Sequence, residues 1–320
     1  MATVQTSLAN SIDAAGDTAQ MDASAKGMLK HRSVLAVILK ECTEEFKDYS
    51  LEYIEQNCFV GEVNVSKVVV DQNGVDTNST IVGSNTEDTT NSEGTIHYDI
   101  VFDAAVPRST KIVRMVINLE IQVNTNLSYA VVTRGVYYGA RLISRQKGSV
   151  FTHMNYENIQ KVYSIWICPD AKGESANSIA KYGITQQEVY GTVNEPVENY
   201  DKLCVIVINL NDEGMKSEKE IIGFLSTLLS TSISVKEKKA KLAHDYHFEM
   251  TKEIEEEADN MCNIGTATLM KGRVEGEQKK AIETAINLIK MDLLTLEQIA
   301  SATGLSLGAV QGLAEEVRKN

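Results

Sequence analysis

The chain has 320 residues, 43% of them hydrophobic, and a formal net charge of −13. That length exceeds one ordinary domain and supports a sizeable core, so two domains are expected. The acidity excludes a protein that coats nucleic acid along its whole surface, and the absence of any apolar run of about 18 residues excludes a membrane span.

Residues 1–20 are mostly Ala, Ser, Thr and Asp with little to bury, and a disordered lead-in is expected there. Residues 22–48 read as one helix, because Leu29, Val34, Leu35, Val37, Ile38, Leu39 and Phe46 recur at mixed three- and four-residue spacings. Residues 71–94 are rich in Asn, Thr, Ser, Gly and acids, which is loop chemistry. Two strand signals follow, TIHYDIVFDAAV (95–106) and KIVRMVINLEIQV (111–123). The short link between them predicts an antiparallel hairpin. Helical periodicity returns over 128–147. The near-continuous apolar runs VYSIWICPD (162–170) and KLCVIVINL (202–210) predict buried central strands. The order describes an α/β fold, a mixed sheet flanked by helices.

No β signal remains after 211, so a boundary is expected near 211–216. Residues 217–262 are strongly helical, 266–291 form a charged helix, and 292–320 read as two short helices joined at Gly304. The expected organisation is a lead-in over 1–20, a core over 21–212, a helical extension over 213–291 and a small helix-turn-helix-like module over 292–320. A DNA reader would carry Arg or Lys on its second helix. Residues 306–317 carry none and include Glu315 and Glu316, so packing or self-association is the expected role. The five cysteines, Cys42, Cys58, Cys168, Cys204 and Cys262, are widely spaced and form no CxxC. Together with the lack of a secretion-signal pattern at the start, they predict a cytoplasmic protein without disulfides or structural zinc.

Charge is uneven. Residues 41–103 hold 14 acids and 2 bases, a net −12, whereas 104–165 hold 2 acids and 8 bases, a net +6. Acids beside a basic island can meet phosphates through a bridging cation. Phosphodiester hydrolysis needs an activated water and an offset for phosphate charge, and a divalent ion held by carboxylates supplies both. Asp99 lies within the apolar stretch Tyr98-Asp99-Ile100-Val101, and Glu120 and Gln122 lie within Asn118-Leu119-Glu120-Ile121-Gln122. Strand alternation puts Glu120 and Gln122 on one face, and pairing of the two strands brings Asp99 towards them. On the following helix, Arg134, Tyr138 and Arg141 share a face that could bind or steady a phosphate. The spacing D…ExQ is loose; it fits a solvated sheet face as well as a metal site.

The stretch YDIVF…INLEIQ…RGVYYGARLISRQ…YSIWI, with the opening MDASAKGMLKHRSVLAVILKECTEEF, resembles the PD-(D/E)XK nuclease family transposases, relatives of the Rpn-type recombination-promoting nucleases. The resemblance spans roughly residues 21–262. It implies a restriction-endonuclease-like fold and DNA cleavage with Mg²⁺ or Mn²⁺. By the resemblance, Asp99 and Glu120 are the second- and third-motif acids and metal ligands. Gln122 stands where the wider superfamily has lysine; it can orient water but supplies no charge. Asp22 is the first-helix acid, with Glu41 and Glu45 as alternatives. Two functions are therefore expected to compete. One is a metal-dependent DNA endonuclease tied to recombination or mobile elements, with a homodimer through the C-terminal helices. The other is a catalytically silent nuclease fold that binds DNA or protein through its helical tail.

Overall fold

The computed structural model describes residues 7–65, 87–90, 94–108, 111–119 and 129–319. Helices α1 (Ser7–Leu29), α2 (Arg32–Cys42) and α3 (Leu51–Asn57) lead into β1 (Phe59–Val65). Strands β2 (Glu87–Thr90), β3 (Gly94–His97), β4 (Ile100–Ala105) and β5 (Ile112–Leu119) follow, then α4 (Val131–Arg145) and β6 (Val162–Cys168). Strand β7 (Ser178–Gly183), the short α5 (Val197–Tyr200) and β8 (Leu203–Asn209) complete the β region. The remainder is helical: α6 (Glu220–Leu229), α7 (Val235–Tyr246), α8 (Lys252–Met291), α9 (Leu296–Thr303) and α10 (Leu307–Lys319).

The main sheet has six strands in the order β1-β4-β5-β6-β8-β7, and β2 with β3 forms a separate two-stranded sheet. β4 and β5 pair antiparallel, as the hairpin reading expects, whereas β5, β6 and β8 run parallel. β6 and β8 are central and buried on both faces, which is why their sequences are apolar without alternation. Alternate residues nevertheless serve different layers. Tyr163, Ile165, Ile167, Cys204, Ile206 and Ile208 pack with the α1, α2 and α6 side chains Met28, Leu35 and Phe224. Val162, Trp166, Val205 and Val207 pack with Tyr138 and Leu142 of α4. The result is a mixed sheet flanked by helices and followed by an all-helical region.

Two glycines decide how close α4 comes. A Cβ on Gly135 would meet Val205 Cγ1 at 2.6 Å and Trp166 Nε1 at 2.8 Å, and one on Gly139 would run into Leu203 Cδ1. These two positions, one turn apart, seat the helix backbone directly on β6 and β8.

Several expectations change. The single helix over 22–48 is two helices broken at Lys30 and His31, where His31 is the extended N-cap of α2. Residues on both sides of the break are buried all round, 24–29 as well as 34–39, and at the break the His31 amide closes on the Met28 carbonyl at 3.3 Å where α1 ends. The first of these helices begins at Ser7, inside the segment read as a disordered lead-in. The strand expected over 95–106 is two strands, and residues 94–97 pair with 87–90. Finally, the chain divides into compact units between Ile264 and Gly265 rather than near 211–216. The reason is that α6, α7 and the first part of α8 supply Phe224, Leu242, Ile254 and Met261 to the same core as the sheet. In the second unit α9 and α10 are joined at Gly304, whose φ of 73° provides the left-handed cap, and Ala285, Ile299 and Val310 form its core.

Candidate metal centre

Asp99 sits in a bend immediately before β4, not inside the strand. Tyr98 packs on the α4 side of the sheet and Ile100 on the other, so the bend breaks the strand's alternation at Asp99. The carboxylate is thereby freed from sheet parity and meets α1. There, Asp22 and Lys26 are four residues apart and share a helix face. Lys26 Nζ lies 2.5 Å from Asp22 Oδ2 and 2.7 Å from Asp99 Oδ1. All three side chains are largely buried, with exposures of 8% for Lys26, 19% for Asp22 and 17% for Asp99. Burial pushes the Lys26 ammonium towards its neutral form, but the two carboxylates, Asp99 first, outweigh it, and its pKa is raised above the usual lysine value.

The place in the sheet matters. Ile100 pairs with Ile117 near the end of β5, and Ile117 pairs with Ile165 of β6. Asp99 therefore stands at the carboxyl-terminal end of the parallel strands, where ligands gather in open α/β sheets.

Arg134, on the first turn of α4, donates from Nη1 to the Tyr129 hydroxyl at 3.1 Å and from Nη2 to the Tyr138 hydroxyl at 3.1 Å. Its guanidinium lies 5.2 Å from the ring centroids of both Tyr138 and Trp166. Stacking of this kind holds a planar cation in a fixed orientation. The Tyr138 ring meets Tyr98 edge-on at 5.4 Å. Neighbouring residues thus serve opposite layers: Tyr98 meets the ring that holds Arg134, and Asp99 meets Lys26 of α1.

The sequence-predicted residues are distributed as follows. Asp22 and Asp99 are brought together on one cation, and Arg134 and Tyr138 are in direct contact. Arg141 is buried, 9% exposed, further along α4, where it can steady the helix against the sheet more readily than reach a ligand in solvent. Glu120 and Gln122 lie outside the described residues; Leu119, the residue before Glu120, is the last of β5. The two alternatives for the first-helix acid are engaged elsewhere. Glu41 accepts from Lys219 Nζ at 2.9 Å. Glu45 accepts from Lys161 Nζ at 3.1 Å and from the Tyr163 hydroxyl at 2.6 Å. Lys26 was missed by sequence reasoning. Its signal was an Asp–Lys pair at i,i+4 in a helix whose neighbouring positions are otherwise small or apolar.

Among the described residues, no group of three or more His, Cys, Asp or Glu side chains could hold a metal ion. Asp22 and Asp99 supply two carboxylates, and their convergence on an ammonium demonstrates that both can address one cation. That donor set fits magnesium, which takes one or two carboxylates and completes its shell with water and phosphate oxygens. No described helix is long and apolar enough to cross a membrane. Comparison with protein-family models, with curated proteins and with solved structures finds no match for this chain.

Proposed function

We propose that the protein is a metal-dependent DNA endonuclease with a restriction-endonuclease-like core, tied to recombination or mobile elements. The observation that carries this reading is the convergence of Asp22 and Asp99, from a helix and from the bend before β4, far apart in sequence, at the carboxyl-terminal end of the parallel strands. Asp22, Asp99 and Glu120 would hold Mg²⁺ or Mn²⁺. Such an ion supplies Lewis acidity towards phosphate and lowers the pKa of a bound water.

The chain's own groups do the rest. Asp22 and Asp99 fix the cation between two rigid elements. Arg134, locked by Tyr129, Tyr138 and Trp166, offers a preoriented guanidinium to a phosphate oxygen, which avoids reorganisation during the reaction. Gln122 orients the attacking water and Arg141 holds α4 in place. DNA is the substrate, and two copies joined through the C-terminal helices would present one site to each strand. Met270 and Val274, exposed one turn apart on α8, are apolar surface available to that pairing.

Plasmid nicking is the test. Wild-type protein should cut supercoiled DNA with Mg²⁺ and not with EDTA, while Asp99→Asn and Glu120→Ala should lose about 100-fold or more of the rate, the scale seen on removing one preorganised charge stabiliser. Equal nicking by all three proteins would overturn the assignment. One observation favours the second reading, a catalytically silent fold acting through its helical tail: Lys26 already neutralises part of the acid pair. In that case wild-type protein binds DNA or a protein without nicking.

A further inference from the structure

We propose that the protein self-associates through a finger, residues 184–196, whose tip packs against the segment 145–158 of a second copy, each copy giving a finger and receiving one. The finger leaves β7 at Gly183 and returns through α5 to β8. Its limbs are tied by their own bonds. Gln186 Nε2 donates to the Val193 carbonyl at 2.6 Å, and the Val193 amide donates to Glu188 Oε1 at 3.3 Å. Gly191, with a φ of 69°, turns the chain at the tip. The finger so built leaves Val189 93% and Tyr190 98% exposed, and Ile184, Val193 and Val197 are more than half exposed beside them. Side chains this exposed add nothing to the fold of one copy, and apolar surface gathered in this way marks a contact site.

Charge selects the kind of partner. Residues 182–200 hold Glu188, Glu195 and Glu198 and no Lys or Arg. Phosphate backbones and anionic lipid surfaces repel such a finger, so a protein surface covers it. A fitting surface lies on the chain itself. The segment 145–158 exposes Met154 at 80% and Tyr156 at 54%, and it holds Arg145 and Lys147 against Glu157. Both features rise from one end of the sheet: Val162 pairs with Leu203, and Gly183 with Cys204, at the amino-terminal ends of β6 and β8. Their bases are joined there. Lys202 Nζ donates to the Ile159 carbonyl at 2.8 Å, and Lys161 Nζ lies 2.5 Å from Asp201 Oδ2. An acidic apolar finger beside a basic apolar segment is self-complementary under a two-fold axis, since each patch then meets its opposite on the other copy. Tyr190 alone offers on the order of 200 Å². A two-fold contact uses every residue twice, which brings the buried area to the scale of a standard interface, about 1,600 Å². Asp99 stands at the other end of the parallel strands, so this contact is independent of the metal reading.

Sedimentation velocity of the full chain at micromolar concentration reads the association. Wild type should sediment at twice the mass of the double variant Val189→Ser/Tyr190→Ser, whose self-association should be at least about 30-fold weaker, the scale of losing a buried aromatic anchor. Met154→Ser/Tyr156→Ser should lose the same step. The twofold step is expected whether or not the C-terminal helices also pair. Far-ultraviolet circular dichroism and Trp166 fluorescence check that each variant is folded. A crosslink then identifies the surface that the finger meets. Chains carrying Tyr190→Cys are mixed with chains carrying Met154→Cys and treated with a short bismaleimide, and peptide mass spectrometry should find position 190 of one copy joined to position 154 of the other.

If wild type sediments at the same mass as the finger variant, the finger does not meet a second copy and the proposal fails. If the finger variant loses the step but the Met154→Ser/Tyr156→Ser variant keeps it, or position 190 joins only position 190 of the other copy, the reciprocal pairing is wrong.

Discussion

Lys161→Met should destabilise the sheet-bearing unit by about 2 kcal/mol, a value worked from the ion network at the amino-terminal ends of β6 and β8. Lys161 Nζ lies 3.1 Å from Glu45 Oε1 and 2.5 Å from Asp201 Oδ2, and the Tyr163 hydroxyl donates to Glu45 Oε2 at 2.6 Å. The ammonium also lies 4.6 Å from the Tyr163 ring centroid. Removing one partner of a fully buried pair costs about 3–5 kcal/mol, because the other charge is left uncompensated. Here Asp201 is 33% exposed and Glu45 20%, so water relieves part of that cost. Discounting the buried figure accordingly leaves about 2 kcal/mol. With a urea m-value of about 3 kcal/mol/M, the midpoint should fall by about 0.7 M. The single tryptophan, Trp166, lies on β6 itself, so its fluorescence follows this unit and not the helical one. Glu45→Gln in the Lys161→Met background should cost less than it does in wild type, since the carboxylate no longer has its cation. Strictly additive losses, or an unmoved midpoint for Lys161→Met, would refute the reasoning. The pH dependence has a definite sign. Burial lowers the Lys161 pKa, but Asp201 and Glu45 outweigh it and raise it above 10.5. The pair's stabilisation is therefore fully present below 10.5 and is lost as pH rises through the raised value.

Gly139→Ala should cost about 1–3 kcal/mol through overpacking, because its new Cβ collides with Leu203 of β8, and the Trp166 emission should shift as α4 lifts from the sheet. Lys238 is fully buried and donates to the Leu228 carbonyl at 2.9 Å, and burial drives its pKa below 10.5. That sign is the reverse of Lys161: stability should rise with pH between the lowered value and 10.5. Lys238→Met, which removes a buried charge at similar volume, should be neutral or stabilising at pH 7, and a loss of more than about 1 kcal/mol in urea unfolding would contradict it.

The parts of the fold legible in the sequence were those with an uninterrupted pattern. β6 and β8 are apolar throughout because both faces are covered, and α4 shows its helical face plainly, so both were found at nearly their observed bounds. The break at His31 was not legible, because α2 is buried all round and its apolar residues extend the α1 pattern without a change of period. The true unit boundary was hidden for a similar reason. Composition changes where strands stop, near 211, but packing continues into α8 as far as Met261. At the candidate centre, Asp99 stood out as a charge in an apolar stretch. What the stretch could not reveal was the bend that turns Asp99 out of strand register, since that depends on Tyr98 and Ile100 choosing opposite layers. Lys26 was invisible to a search for acids, although an ammonium is the counterpart such acids need when no ion is present.

Two networks of the same composition, a lysine between two acids, lie at opposite ends of this sheet, and composition alone cannot assign them different roles. Position and neighbours do. Lys161 joins Glu45, from the chain after α2, to Asp201, from the turn before β8, across 116 and 40 positions of sequence. Its ammonium is further held over an aromatic ring whose hydroxyl closes on the same Glu45. Withdrawal of Lys161 would undo a three-element tie, so its cost falls on stability. Lys26 shares its helix with Asp22 and bridges to a single outside residue, at the end of the sheet where α4 presents Arg134. Loss of Lys26 takes the shared cation from Asp22 and Asp99, 19% and 17% exposed, so by the same burial argument Lys26→Met should lower the urea midpoint at least as far as Lys161→Met. The two variants should differ in what restores them. If the Asp22/Asp99 pair holds a divalent ion, Mg²⁺ should raise the midpoint of Lys26→Met and leave that of Lys161→Met unchanged. An equal response of the two variants to Mg²⁺ would make the two ends of the sheet equivalent, and the assignment of different roles to them would fail.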